Sequence, residues 1–425
     1  MTPFDELLRK EVRDARLPLR PLMRGECQTS AGKKCTICMA GGLTYEDEAR
    51  VKERALRKFW NEALPATPLE HLVLSVKGRH YRTVSKRKVF QGRGGPELGL
   101  IDPSERSSGG NIPVAECAIE PPGHAAIYSS VSRFIAAGRG RELARDLRYV
   151  IIKGSYVQHS VILSASRLSP SVTKGANALS RAVTASCPTV TGVFLLEDRS
   201  RNDRYYMGLT GKTQVNARRI FGSSTVSQSV GGRSFLFPPY SFSQVNESIL
   251  EELVRGASLL LRPDSRQTLF DFYCGYGLFG LCLASRVAQV VGVEVSHDSV
   301  RSAIANAARQ KIRNARFVRA EITGESVARI MHRPRGGFAV LLDPPRGGTA
   351  RGVIEAVAAR RPERAVHIFC NIELMSAEVR RWESMGYRGV NAIPFDLFPG
   401  TSSVEIMILF QPQDAMGGAP GGREG

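Results

Sequence analysis

Apolar and polar positions follow three successive rhythms along this 425-residue chain. After a short helical opening and a loop, the polar run Tyr45-Glu46-Asp47-Glu48-Ala49-Arg50 leads into Val51, Ala55, Leu56 and Phe59. That spacing of three and four predicts an amphipathic helix. From about Leu72 to Phe237 the rhythm shortens: HLVLSV, YVIIKGSYVQHSVILSA and VTGVFLLED are separated by loops rich in Gly, Ser and Arg, which predicts an antiparallel sheet. Residues 92–111 carry so much Gly, Pro and Ser that a mobile loop is expected there. From about Pro238 apolar runs alternate with helix-like segments. The runs are TLFDFYC, VVGVEV, ARFVRAE, FAVLLDPP, AVHIFCN and EIMILFQ. Strands apolar on both faces with helical crossovers predict a parallel α/β sheet. Residues 413–425, with five glycines, are expected to be disordered. The expected division is therefore 1–60, 61–237, 238–412 and a tail.

Composition sharpens this picture at two points. Apolar content of 42% and charged content of 23% are ordinary for a globular protein, but 59 Lys+Arg against 40 Asp+Glu leave a net charge of +19. Such an excess suits an anionic partner, nucleic acid first, because phosphate contacts release counterions. The plain alternative is an Arg-rich compositional bias. No apolar stretch reaches the roughly 20 residues that span a bilayer, and the first 26 residues hold no apolar signal core, so a cytoplasmic protein is expected. In that reducing setting eight cysteines point to metal or catalytic use rather than a disulfide framework.

The first run of the third region ends in DFYCGYGLFG, where Gly275, Gly277 and Gly280 form G-x-G-x-x-G. Glycines at a strand-to-helix turn let a ligand approach the backbone. Glu294, at the end of VVGVE, is placed to accept hydrogen bonds from a ribose diol. A dinucleotide and S-adenosylmethionine both fit this pair. LLDPPRGG then sets Asp343 at the end of the fourth strand, with Arg346 after a rigid Pro-Pro turn. An aromatic residue in place of Arg346 would have suited amine methylation, which is thereby disfavoured.

Cys370 closes the fifth strand, in IFCNIELM. A cysteine in an apolar strand is commonly a buried small hydrophobe. At the end of that strand, however, its thiol shares a cleft with Gly275 and Asp343. There it fits one demanding reaction. C5 of uracil is a poor nucleophile until a soft nucleophile adds to C6, and the adduct must afterwards lose its C5 proton to a base. Glu405, where the last apolar run begins, is the candidate base.

FSQVN, DFYCGYG, VVGVE, LLDPPR, FCN and FPGTSSVE stand in the order and spacing of the RNA (uracil-5-)-methyltransferases, which this chain resembles from about Pro238 to Gln411. The resemblance implies a C-terminal Rossmann-like, S-adenosylmethionine-dependent methyltransferase domain. It makes Cys370 the nucleophile and Glu405 the base, with Gln244, Tyr273, Gly275, Glu294 and Asp343 lining the cofactor and Glu321 meeting its adenine. The chain departs from the family pattern at Leu278, where Asn is frequent, at Ile372, where Pro is usual, and at Gly400 and Ser403, where His is common.

Cys27, Cys35 and Cys38 follow a C-x7-C-x2-C spacing, and Cys117 offers a fourth thiol. Tetrahedral zinc and an iron-sulfur cluster both fit four cysteines. The resemblance selects a [4Fe-4S] cluster, carried by the branch that methylates 23S ribosomal RNA, and a small N-terminal iron-sulfur region ahead of a β-rich central domain. The implied protein is a monomer acting on 23S ribosomal RNA. Transfer RNA is the alternative substrate, and a non-catalytic RNA-binding factor or a nicotinamide-dependent oxidoreductase are the rival functions. Arg79, His80, Tyr81, Arg82, Lys86, Arg87 and Lys88 are expected to grip RNA, and Cys187 and Cys282 to sit in cores.

Overall fold

In the computed structural model, residues 2–15, 38, 43–101, 111–114, 116–198, 216–331 and 337–413 are described. Helix Tyr45–Ala63 forms as its apolar spacing predicts, capped by Thr44, whose hydroxyl accepts from the Asp47 amide at 3.1 Å. It buries Val51, Ala55, Leu56 and Trp60.

The middle of the chain builds a seven-stranded sheet from β1 (Val84–Gly92), β2 (Gly95–Ile101), β3 (Asn111–Pro113), β4 (Leu147–Gly154), β5 (His159–Ala165), β6 (Val190–Glu197) and β7 (Ala217–Gly222), in the order β3-β2-β1-β4-β5-β6-β7. Two expectations are corrected here. Residues 95–101 are a strand rather than loop: the glycine-rich turn between β1 and β2 closes a hairpin with Gly92 opposite Gly95, and Gly95 takes a φ of +126°. Residues 102–110 lie outside the described residues. The sheet is also not wholly antiparallel, since β5 and β6 run parallel. A parallel pair needs a crossover, and helix Pro170–Ser186 supplies it. Its start was marked in the sequence by Ser169, whose hydroxyl accepts from the Val172 amide at 3.2 Å, and by Pro170 at the first helical position. This helix packs with Pro122–Ile135 and Gly138–Asp146 over Val150, Val161, Leu163 and Val193.

A short hairpin, β8 (Val226–Val230) with β9 (Arg233–Phe237), precedes the second large sheet. That sheet comprises β10 (Thr268–Phe272), β11 (Gln289–Glu294), β12 (Ala315–Arg319), β13 (Phe338–Leu342), β14 (Arg364–Phe369), β15 (Tyr387–Phe395) and β16 (Glu405–Pro412), ordered β12-β11-β10-β13-β14-β16-β15. The first five are parallel, and β10 buries every residue between two apolar layers: Phe270 and Phe272 join one, Leu269 the other. The expected parallel sheet holds for its first five strands and is corrected at its far side. β16 pairs antiparallel with both β14 and β15 because a hairpin loop, not a crossover helix, joins β15 to β16. β15 had no clear signature, because Arg388, Gly389, Asn391 and Pro394 interrupt its apolar pattern.

The direction of β16 has a functional consequence. β10, β11, β13 and β14 all end on one edge of the sheet, and an antiparallel β16 begins there. Among the described residues no helix is long and apolar enough to cross a membrane.

Candidate active site at the sheet edge

The glycine loop turns sharply out of β10, with φ of +65° at Tyr273, +54° at Gly275 and +89° at Gly277. For Tyr273 the left-handed region costs roughly 1–2 kcal/mol, strain of a kind that collects at ligand-binding turns. A Cβ on Gly275 would meet no described atom within 4 Å, whereas one on Gly277 would lie 3.0 Å from Leu281 Cδ1. Space therefore opens over Gly275. Glu294 accepts from the Gly275 amide at 3.2 Å and the Ser296 amide at 2.8 Å, so one carboxylate ties the loops after β10 and β11. Ala320 donates its amide to the Glu294 carbonyl at 3.0 Å, and the exposed Glu321 follows it off β12. Gln244 is buried, and its carbonyl accepts from Gln228 Nε2 at 2.9 Å.

Asp343 follows β13 and Cys370 follows β14. The Cys370 thiol points at the Pro344 carbonyl, 3.8 Å away, and Asn371 Nδ2 donates to the Arg346 carbonyl at 3.2 Å, so these two loops are also joined. Phe369 pairs with Ile406, which sets Cys370 and Glu405 opposite one another at the next step of the same register. Sequence candidates 35 residues apart thus meet through a strand pair.

Electrostatics at this edge are one-sided. Burial first, then the carboxylates of Glu405 and Asp343, push the Cys370 thiol up to about 12, while Arg346 pulls it down. Desolvation, reinforced by Asp343, holds Glu405 well above the usual carboxylate range. Desolvation raises Asp343 to about 7, with Glu294 adding to it, and raises Glu294 itself. Asp271 also reaches about 7, chiefly through burial; its Oδ2 accepts from the Gly280 amide at 2.9 Å. Sequence reasoning passed over Asp271, although a carboxylate inside the apolar run TLFDF was a visible signal. Four desolvated carboxylates therefore repel one another along this edge, with Glu294 bound to the glycine turn itself.

Residues 196–413 match the tRNA (Uracil-5-)-methyltransferase family. The chain belongs to that family. It is an RNA methyltransferase. An uncharacterised RNA methyltransferase of Streptococcus pyogenes serotype M1 is 26% identical over 387 residues, covering 88% of this chain and 80% of the relative. One from Streptococcus mutans serotype c is 35% identical over 210 residues, 49% of this chain and 45% of the relative. The Pyrococcus abyssi tRNA (uracil-54, C5)-methyltransferase, solved in complex with S-adenosyl-L-homocysteine, shares the fold with a TM-score of 0.66 at 20% identity, over 88% of this chain and 85% of its own.

The matched region of this methyltransferase holds Gln244, Tyr273, Gly275, Glu294, Glu321, Asp343, Cys370 and Glu405; the four candidate metal cysteines precede it. Cys27 and Cys35 lie outside the described residues. Cys38 and Cys117 are half-buried, and a Cβ on Gly400 would be 3.7 Å from Cys38 Sγ. Burial first, then Glu120 and Cys38, push the Cys117 thiol up to about 12. Among the described residues no group of three or more His, Cys, Asp or Glu side chains is gathered to hold a metal. Cys187 and Cys282 pack in or against apolar cores.

The expected RNA-gripping run is corrected at Tyr81, Arg87 and Arg79, whereas His80, Arg82, Lys86 and Lys88 keep exposed or half-buried side chains. Tyr81 and Arg87 are fully buried. Arg87 makes a bidentate pair with Glu120 at 2.9 and 2.8 Å and lies 4.5 Å over the Tyr128 ring. Arg79 pairs with Glu48 at 2.9 Å. Alternation along β1 turns every second residue inward, which a run of charges in sequence conceals.

Proposed function

We propose that this methyltransferase transfers a methyl group from S-adenosylmethionine to C5 of uridine in RNA, with Cys370 as nucleophile and Glu405 as base. The observation that carries the cofactor choice is the set of buried carboxylates at this sheet edge: Glu294 holds the Gly275 amide at 3.2 Å, Asp343 is raised by Glu294, and Asp271 and Glu405 are each raised by Asp343. A sulfonium cation relieves their mutual repulsion, whereas the pyrophosphate of a nicotinamide dinucleotide adds to it.

S-adenosylmethionine supplies the methyl group as an electrophile. Gln244, Tyr273, Gly275, Glu294 and Asp343 line its pocket, and Glu321 takes the adenine end. The sulfur of Cys370 adds to C6 of uracil, breaking the C5–C6 double bond and passing its electrons to C5 and O4. C5 would take the methyl group as the sulfur–methyl bond of the sulfonium breaks, its electron pair returning to sulfur and the cofactor leaving as the neutral thioether S-adenosylhomocysteine. Glu405 then removes the C5 proton, the C6–S bond breaks, and the double bond returns with the thiolate released. Positive charge near the carboxylates, from Arg346 and from the cofactor, favours the thiolate that the first step requires.

For the substrate we take 23S ribosomal RNA, supported by the resemblance of the N-terminal cysteines to those of the branch that methylates it. The transfer RNA reading is supported by the matched family's description and by the name of the Pyrococcus abyssi enzyme. Incubation of the purified protein with methyl-labelled S-adenosylmethionine and unmodified ribosomal or transfer RNA, followed by mass mapping, should place 5-methyluridine in 23S RNA. Label confined to transfer RNA would transfer the assignment, and binding of a nicotinamide dinucleotide without labelling either RNA would refute the function.

We further propose that Cys27, Cys35, Cys38 and Cys117 hold a [4Fe-4S] cluster; four thiols fit zinc as well, and support for the cluster comes from the resemblance of this cysteine set to that of the 23S ribosomal RNA branch. Anaerobically purified protein is expected to contain iron and inorganic sulfide, both lost in Cys38→Ser. Stoichiometric zinc without sulfide would rule the cluster out.

RNA backbone, in this reading, follows a groove of about 610 Å3 between helix Pro170–Ser186 and the edge strand β7, where Lys174, Arg181 and Arg218 are exposed beside Ser169, Thr173 and Asn177. No ion pair of these three cations falls among the described residues. Nearby acids are engaged: Asp146 with Arg167 at 2.9 Å and Asp198 with Arg148 at 3.5 Å.

A further inference from the structure

The loop between β15 and β16, residues 396–404, ends at Glu405, and four consecutive backbone groups in it are held by buried side chains from elsewhere. Asn246 Nδ2 donates to the Leu397 carbonyl at 3.0 Å, Lys52 Nζ to the Phe398 carbonyl at 3.2 Å, and the Tyr81 hydroxyl to the Pro399 carbonyl at 2.9 Å. The Gly400 amide donates to Glu48. All four side chains are fully buried. Lys52 also pairs with Asp396 at 2.7 Å, and the Asp396 amide donates to the Val73 carbonyl at 2.9 Å. Glu48 and Lys52 stand one turn apart on helix Tyr45–Ala63, so a single helix face grips both sides of the loop.

Surface loops ordinarily carry catalytic groups at the cost of mobility. This one is tied residue by residue, and three of its ties, Glu48, Lys52 and Tyr81, come from sequence ahead of the family match at 196–413. Gly400 occupies the left-handed region at a φ of +84°, a conformation that the Glu48 contact holds in place.

We propose that Glu48, Lys52 and Tyr81 are positioning residues for the proton-removal step: strand pairing sets Glu405 opposite Cys370, and the braced loop that leads into Glu405 keeps this first residue of β16 from fraying away from the cleft. The inference rests on the reading of Glu405 as base. A base must come within hydrogen-bond reach of its proton, and a displacement near 1 Å costs up to about 100-fold in rate. Cys370 enters the cleft from β14 and owes nothing to this loop, so loosening the brace separates the two steps.

The test uses full-length Tyr81→Phe, which removes one hydroxyl and keeps the ring, and Lys52→Met, which removes the central cation. Single-turnover methyl transfer and the later release of RNA are timed separately, with Glu405→Gln as control and circular dichroism reporting the fold. In the folded variants methyl transfer should stay within about twofold while release slows about 10- to 100-fold, so that a denaturant-resistant, methylated protein-RNA species accumulates. If Glu405→Gln accumulates that species and neither brace variant does, or if both steps slow equally, the brace inference is wrong. If Glu405→Gln itself fails to accumulate it, the base assignment has failed instead. Should Lys52→Met not fold, Tyr81→Phe decides alone.

Discussion

Glu405→Gln should leave methylated RNA bonded to the protein, whereas Cys370→Ala should neither methylate RNA nor form a bond to it. The amide can neither take nor carry the C5 proton, and loss of a general base costs about 10²- to 10⁴-fold in the step it serves. Addition to C6 and methyl transfer do not use that proton, so the reaction stops at the adduct. Without Cys370 there is no nucleophile to make C5 reactive, and turnover should fall below detection. The measurement is a denaturing gel of protein incubated with labelled RNA: a slow band that needs S-adenosylmethionine for its methylated form, present for Glu405→Gln and absent from the double variant. Wild-type protein given 5-fluorouridine RNA should form the same band, because fluorine does not leave as a proton does. Full turnover by Cys370→Ala would sink the mechanism and leave the thiol a half-buried strand-end residue.

Arg87→Ala is expected to destabilise the fold rather than to weaken its hold on RNA. The guanidinium is 1% exposed and bound by both arms to Glu120, so its removal strands a buried carboxylate. Breaking one side of such a pair costs about 3–5 kcal/mol, a fall of roughly 10 °C in melting temperature for a domain of this size. The slope of RNA affinity against salt should not change. Replacing Lys174, Arg181 and Arg218 together by Ala should do the reverse: little loss of melting temperature, and a salt slope shallower by about 2 at ~0.7 per phosphate contact on single strands. A slope lowered by Arg87→Ala and untouched by the triple variant would return the RNA path to β1.

Most candidate site residues were legible without coordinates because each closes or begins an apolar run. Tyr273 and Gly275 follow β10, Glu294 ends β11, Asp343 follows β13, Cys370 follows β14 and Glu405 opens β16. In a sheet with crossover connections, strand ends and ligand edge coincide, so hydrophobic patterning alone locates them. Patterning also marked helix Tyr45–Ala63 and the short apolar strands.

What patterning could not decide is which element lies beside which. EIMILFQ reads as a strand in either direction; only its antiparallel place between β14 and β15 brings Glu405 to the edge where Cys370 stands. Arg87 and Tyr81 read as surface residues in a charged run, yet pairing of β1 with β4 and packing against Glu120 and the 396–404 loop bury them. Lys52 and Asp396 are separated by 344 residues and form one ion pair. Periodicity records how a segment divides its faces between water and protein. The partner that fills each buried face is chosen by contacts between distant segments, and those exist only once the chain has packed.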